Sequence, residues 1–181
     1  SEVSPTHEPG LASRVASHPL AGGDLEGALE PLREVVRRAL DAGDMEAART
    51  WLDRRQRTLD ELGAPMSAEP CVEQLVLAGE AAAEDGRPEI ANQRAEEAID
   101  LAERQDQTSV LGDARRLRAT LRRSKSAFSA GLRDCYRALQ CFEQAEDLEG
   151  VARTCYETAR ICRLVGELEK AEKYFRRAME R

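Results

Sequence analysis

The stretch GELEKAEKYFRRAM, residues 166–179, carries the pattern that decides the fold. After its glycine, apolar residues recur at spacings of three and four, at Ala171, Tyr174, Phe175 and Ala178. This period places the four side chains on one face of an amphipathic helix. Because a short helix is marginally stable in water, that face has to be buried against another helix. The stretch therefore predicts one member of a helical pair.

Three earlier stretches repeat this arrangement of a turn followed by an amphipathic helix. The turns at Gly43, Gly86, Ser126 and Gly166 follow one another at steps of 43, 40 and 40 residues. A nearly fixed period of this size is typical of stacked helical hairpins. The three earlier stretches are GDMEAARTWLDRR (43–55), GRPEIANQRAEEA (86–98) and SAFSAGLRDCYRA (126–138).

A second amphipathic pattern precedes each turn, so the sequence predicts an all-α fold, an α-solenoid of antiparallel helical hairpins. Residues 1–23 are rich in Pro and Gly and are predicted to form a flexible linker, with one short helical turn at Leu11–Ser17. A linker there suggests that another domain precedes the array. The four helix pairs are expected at about residues 25–63, 68–105, 107–146 and 148–181.

These stretches resemble the second helix of the tetratricopeptide repeat, in the longer variants of roughly 40 residues that occur in signalling scaffolds. The resemblance covers about residues 25–181 and is strongest in the fourth hairpin. It implies a right-handed superhelix in which the first helix of each hairpin lines a concave groove for a partner. HEAT-like helical pairs have similar periods and are the alternative.

Two positions depart from the pattern of this family. Arg55 stands where a small residue is usual, and Gly131 stands in place of an alanine. We therefore expect the first hairpin to pack loosely or to act as a cap. We also expect an irregular turn at Ser124–Ser126, where the third hairpin fits best with one extra residue.

Charge is distributed unevenly along the chain, whose formal net charge is −7. Residues 1–109 carry 11 Lys and Arg against 23 Asp and Glu, whereas residues 110–181 carry 16 against 11. The segment RRLRATLRRSK (115–125) is basic, but Leu117 and Leu121 interrupt it at core spacing and no aromatic residues accompany it. These features argue against nucleic-acid binding and favour a solvated helix face.

No catalytic or metal-binding constellation is visible, so we expect neither an enzyme nor a protein with a cofactor or a metal. The two histidines, His7 and His18, lie in the predicted linker. The cysteines show no metal-ligand spacing, and at least three of them occupy apolar helix faces, where a free thiol packs as a small hydrophobe. Free thiols, together with the lack of an apolar run of about 20 residues, predict a cytoplasmic protein without membrane insertion. The cysteines are Cys71, Cys135, Cys141, Cys155 and Cys162.

The predicted binding site consists of residues on the first helix of each hairpin that lie off its apolar stripe. The groove they line should be acidic in the middle and rich in arginine towards the C-terminal end, where an acidic segment of a partner protein would bind. Tyr156 is the candidate aromatic anchor. The site comprises Arg33, Arg37, Glu73, Glu80, Arg115, Arg122, Arg153, Tyr156, Arg160 and Arg163, and the same faces also carry Glu30, Val76, Glu84 and Arg123.

The favoured function is a protein–protein interaction scaffold or regulatory module, as part of a larger signalling protein. One alternative is the regulatory or sensor arm of a multidomain kinase or transcription activator. The last helix carries Tyr174, Phe175 and Met179 without a capping helix after it, so we expect either that further repeats follow in the full protein or that this face pairs with another molecule. Self-assembly through this face is therefore the other alternative.

Overall fold

A computed structural model describes residues 23–180 of the chain. The predicted linker, except Gly23, and both histidines lie outside the described residues. Residues 23–180 form helices connected by short turns and contain no strand, which confirms the predicted all-α class. The helices are α1 (Leu25–Asp41), α2 (Met45–Leu62), α3 (Glu69–Glu84), α4 (Pro88–Arg104), α5 (Thr108–Ser124), α6 (Phe128–Gln144), α7 (Leu148–Leu164) and α8 (Leu168–Met179).

The chain divides into two compact units, a first that ends at Ala64 and a second that begins at Pro65. In the first unit α1 packs against α2. The second unit contains the hairpins α3–α4, α5–α6 and α7–α8, and α4 also packs on α5 and α6 on α7. The first helices of these hairpins contact each other in the order α3, α5, α7. The second unit is thus a solenoid of stacked hairpins.

Side-chain caps begin three of the helices. The carboxylates of Asp24, Asp44 and Asp147 each accept a hydrogen bond from the backbone N–H three residues later, at 2.8–3.0 Å. These bonds satisfy backbone donors that have no partner inside the helix. In α4 a proline stands in the first turn, where its missing N–H costs nothing.

The turns inside the hairpins share one backbone conformation, including the turn predicted to be irregular. Gly86 and Gly166 have φ of 69° and 81°, and Ser126 has φ of 58°. After Ser126 the N–H of Ala127 donates to the carbonyl of Arg122 at 2.8 Å, as Glu167 donates to Cys162 at 2.9 Å. The prediction of an irregular turn at residues 124–126 is therefore wrong. The reason is that a serine adopts the left-handed conformation otherwise taken by glycine, at some cost in energy.

Close packing between successive hairpins depends on small residues around one large ring. Phe142 of α6 is fully buried, and its ring lies against Gly112 of α5 and Gly150 of α7. A Cβ added at Gly112 would come within 2.8 Å of the ring, and one at Gly150 within 2.2 Å. The two glycines therefore let three helices approach the same side chain.

The first unit is packed around small and branched side chains. Trp51 lies against the cluster of Ala28, Leu32 and Val35. Arg55, which was expected to loosen this hairpin, is a fully buried side chain. The burial of Arg55 gives no support to loose packing at this position.

We predict that Gly150→Ala destabilises the second unit. At an unobstructed helical position the change would add up to about 1 kcal/mol through helix propensity. Here the new methyl group overlaps the Phe142 ring, so we expect a net loss of about 1–3 kcal/mol in the free energy of unfolding. Urea unfolding followed by circular dichroism at 222 nm measures it.

Gly27→Ala is the matched control, because Gly27 occupies the same place after its capping Asp24. There the three atoms nearest to an added Cβ all belong to the Asp24 carboxylate, so the change should cost at most this helix cap, about 1 kcal/mol. The double variant Gly150→Ala with Phe142→Leu should lose less than the sum of the single changes. A Gly150→Ala protein as stable as the parent would show that the Phe142 ring can move away from the added methyl group without cost.

We also predict that Ser126→Gly stabilises the third hairpin by about 1 kcal/mol, because glycine adopts positive φ without steric cost. The control is Gln140→Gly at an exposed site inside α6, which should lower the free energy of unfolding by a similar amount. The same urea titration reports both. Loss of stability in Ser126→Gly would mean that the serine is not strained.

Candidate protein-binding face

Two ion pairs join the first helices of the hairpins in the second unit. Arg116 of α5 donates to Glu80 of α3 at 2.5 Å, and Arg123 of α5 donates to Glu157 of α7 at 2.5 Å. We call the side of α3, α5 and α7 that holds these pairs the inner face. By the helical period it also includes Glu73, Asp113, Thr120, Arg153, Tyr156, Arg160 and Arg163.

The middle of the inner face is neutralised internally. Arg116 pairs with both Glu80 and Asp113, and only 14% of its side chain is exposed. Burial alone lowers the pKa of a guanidinium, but these two carboxylates outweigh burial and raise the pKa of Arg116. Arg116 was not among the predicted site residues. The period of the repeat indicates it, because Arg116 lies 40 residues before Tyr156.

A buried carboxylate organises the C-terminal part of the inner face. Glu157 of α7 is 6% exposed at its side chain and accepts from Arg123 at 2.5 Å and from Arg160 at 3.4 Å. The residues 40 and 80 positions earlier are Leu117 and Leu77, both buried. A carboxylate therefore takes the place of a leucine, and its charge is compensated by two arginines.

Tyr156 and the arginines beside it form the exposed end of this face. Tyr156 is 53% exposed and touches Phe175 of α8 edge-on, with ring centroids 5.6 Å apart. The guanidinium of Arg160 lies over the Tyr156 ring at 5.8 Å from its centroid, a cation–π geometry. Arg163, one turn further along α7, is exposed. This end can offer a flat aromatic surface and two guanidinium groups to a ligand.

Arg115 and Arg122, which were predicted to line the groove, face the second helices of the hairpins instead. Arg115 donates to Glu103 of α4 at 2.7 Å, and Arg122 donates to Asp134 of α6 at 2.6 Å. Arg118 shares this side of α5 and donates to both oxygens of Asp134 at 2.9 Å. The prediction that Arg115 and Arg122 line the groove is therefore not supported. Charged residues lie on the inner face of α5 and also on its opposite side, so charge alone does not show which side a residue faces.

The remaining predicted residues are distributed between the two units. In the first unit Arg33 pairs with Glu30 at 2.5 Å within α1, and Arg37 is buried. In the second unit Arg153 pairs with Glu149 of the same helix, and Glu73 is half-buried. Val76 is buried in the core of the second unit and Glu84 is exposed, so the prediction that Val76 faces the groove is wrong.

The cysteines act as packing residues. All five are buried and free, and burial raises the pKa of Cys135 to about 12. A thiol with so high a pKa is almost fully protonated at neutral pH and is a poor nucleophile. Within residues 23–180 no group of three or more His, Cys, Asp or Glu side chains is placed to hold a metal ion. In the same range, no helix combines the length and apolar character that a membrane span requires.

Comparison with known proteins identifies the class of fold. No protein-family model and no curated protein matches the chain. The solved structure of BtubC (BKLC) from P. vanneervenii is similar, with a TM-score of 0.61 and 17% identity over 93% of this chain and 77% of that one. The structure of MamA protein has a TM-score of 0.50 and 18% identity over 94% and 89%. At these identities the likeness concerns the fold alone: the chain is an all-α, helical-repeat protein.

We predict that Asp134→Ala is strongly destabilising, because it leaves Arg118 and Arg122 near one another without their shared carboxylate. Removal of one partner of a buried ion pair typically costs about 3–5 kcal/mol. The side chain of Asp134 is 2% exposed and that of Arg122 is 32%, so we expect about 3 kcal/mol. Urea unfolding of the purified variant provides the measurement.

The control for Asp134 is Glu143→Ala on the same helix, which removes an exposed pair with Arg177. Its effect should stay below about 1 kcal/mol and vanish in 1 M salt. The loss in Asp134→Ala should persist at that salt concentration. Equal effects of the two variants would contradict a structural role for the buried cluster.

Proposed function

We propose that this chain is a tetratricopeptide-like interaction module that binds a partner protein along the inner face of its second unit. The observation that carries the proposal is the exposed end of that face, where Tyr156, Arg160 and Arg163 lie together on α7. Most other charges of the inner face are used between its own helices. Ligand binding therefore concentrates at this end.

The partner segment we propose for this end is acidic. Guanidinium groups bind carboxylates in a planar, bidentate geometry, and Arg160 is held beside Tyr156 before any ligand arrives. Such preorganisation lowers the entropy cost of binding. The aromatic ring adds contact area next to the charges, as is common for residues that dominate binding energy.

The proposal includes a role without catalysis, as a scaffold or regulatory part of a larger signalling protein. The buried carboxylates Asp134 and Glu157 are each paired with two arginines, which gives them a role in holding the helices together. Five buried free thiols suit a reducing compartment, so we place the protein in the cytoplasm as part of this proposal.

The test is affinity capture with mass spectrometry, comparing the parent protein with the double variant Arg160→Ala, Arg163→Glu. We avoid Arg160→Glu because it would place a second carboxylate beside Glu157. Charge-assisted hydrogen bonds contribute about 1.5–3 kcal/mol each, so the capture of a specific partner should fall by about tenfold or more. Circular dichroism checks that the variant keeps its helices.

The matched control is Arg133→Ala, Arg137→Glu, which changes two exposed arginines with similar chemistry on α6. A specific partner should be lost from the α7 variant and retained by the α6 variant. If both variants retain the same proteins in equal amounts, the arginine end of the inner face has no part in binding.

A further inference from the structure

Within residues 23–180, the hairpin α7–α8 leaves uncovered a surface that is covered in the hairpin before it. Leu139 of α6 is 5% exposed because it packs in one cluster with Val151 and Cys155 of α7. Met179, which stands 40 residues later on α8, is 79% exposed. Likewise, Phe128 of α6 packs in a core cluster, whereas Leu168 of α8, 40 residues later, is 62% exposed.

The internal junctions show which kind of element this surface is shaped to receive. Ile161 of α7 packs against Ala119 and Cys135 in the junction with the preceding hairpin. Leu121 of α5 holds the equivalent place one hairpin earlier, in one cluster with Ala91 and other small residues of α4. Both junctions are thus filled by a helix that inserts a branched aliphatic side chain.

The ion pairs between first helices specify the charges of such a helix. Glu80 of α3 pairs with Arg116 of α5, and in the 40-residue repeat Arg116 is equivalent to Tyr156 of α7. The residues equivalent to Glu80 are Thr120 in α5 and Arg160 in α7. A further helix would therefore place its residue equivalent to Tyr156 opposite Arg160. Arg123 of α5 pairs with Glu157 of α7, and Arg163 is the residue of α7 equivalent to Arg123. The further helix would therefore place its residue equivalent to Glu157 opposite Arg163. Both places call for a carboxylate.

We propose that the end face, formed by Arg160, Arg163, Leu168, Phe175 and Met179, binds an acidic amphipathic helix of a partner protein. Its two adjacent acidic residues, at i and i+1, pair with Arg160 and Arg163. Apolar residues at i−5 and i−1 cover Met179, and a branched aliphatic residue at i+5 lies against Phe175 and Leu168. This inference rests on the proposed binding role and names the structure of the partner segment.

The chain itself offers no helix of this kind within residues 23–180, which favours a different protein over a second copy. Of its adjacent acidic pairs, Glu96–Glu97 is engaged through Glu96 with Arg118 at 2.8 Å. Glu146–Asp147 lies in a turn, where Glu146 has φ of 55° and Asp147 caps α7. The pairs Asp60–Glu61 and Glu84–Asp85 stand at helix ends.

The probe is a fluorescein-labelled peptide with the sequence of α7, residues 148–164, carrying Tyr156→Glu and a staple that keeps it helical. It presents carboxylates at i and i+1, Val151 and Cys155 before them, and Ile161 after them. Binding to the intact chain is followed by fluorescence anisotropy under reducing conditions. Arg163→Glu in the protein should weaken binding by about tenfold, and a peptide that also carries Glu157→Arg should recover most of that loss.

Met179→Asp separates the two proposals, because Met179 belongs to the end face and not to the inner face. We expect Met179→Asp to weaken binding of the peptide by about tenfold and Arg137→Glu on α6 to leave it unchanged. If Arg163→Glu weakens binding and Met179→Asp does not, the end-face proposal fails while inner-face binding stands. No binding of the peptide to the parent chain also overturns the end-face proposal.

Self-association is the remaining outcome, and light scattering across a concentration series detects it. A monomer at all concentrations excludes a second copy as the occupant. A dimer that Met179→Asp abolishes would show that a second copy covers the end face, which overturns the proposal.

Discussion

The stability of the second unit depends on compensating the charges of α5. This helix contacts α3, α4, α6 and α7, yet its sequence contains the run RRLRATLRR. An arginine can be buried at such a site only if carboxylates offset the loss of hydration. The neighbours supply them: Glu80 from α3, Glu96 and Glu103 from α4, Asp134 from α6 and Glu157 from α7. Each helix that packs on α5 therefore also supplies a carboxylate to one of its arginines, and the register of the apolar clusters is the one that makes these pairs.

These ion pairs account for much of the uneven distribution of charge along the chain. An acidic N-terminal part and a basic C-terminal part suggest at first a site for an acidic ligand. In the folded second unit, Glu80, Glu96 and Glu103 from the acidic part pair with arginines of α5 from the basic part. Much of the imbalance is thus resolved between adjacent hairpins. Within the described residues no further first helix follows α7, and Arg160 and Arg163 at this end are the arginines to which we assign ligand binding in the proposed function.

Sequence periodicity predicts the elements of this fold better than the direction of individual side chains. The spacing of Ala171, Tyr174 and Phe175 is enough to place a helix, because the apolar period is a local property. The direction of Arg122 is not local. A first helix in a solenoid is flanked on one side by other first helices and on the other by second helices, and both flanks lie beside the same leucine stripe. Leu117 and Leu121 define that stripe but do not distinguish its flanks.

The turn at Ser126 escaped prediction for another reason, since packing on both sides enforces a conformation that serine alone disfavours.

Glu157 links the interior to the candidate binding surface. A leucine fills the equivalent place in both earlier hairpins of the second unit, and an apolar residue there avoids the cost of burying a charge. The carboxylate instead draws Arg123 from α5 and Arg160 within α7 to one point. The guanidinium of Arg160 also lies over the Tyr156 ring, so it would lose less freedom on binding the acidic segment that we propose. Glu157 interrupts the apolar pattern of its helix and is also the residue that contacts Arg160. Such departures from a local sequence pattern are expected at functional sites.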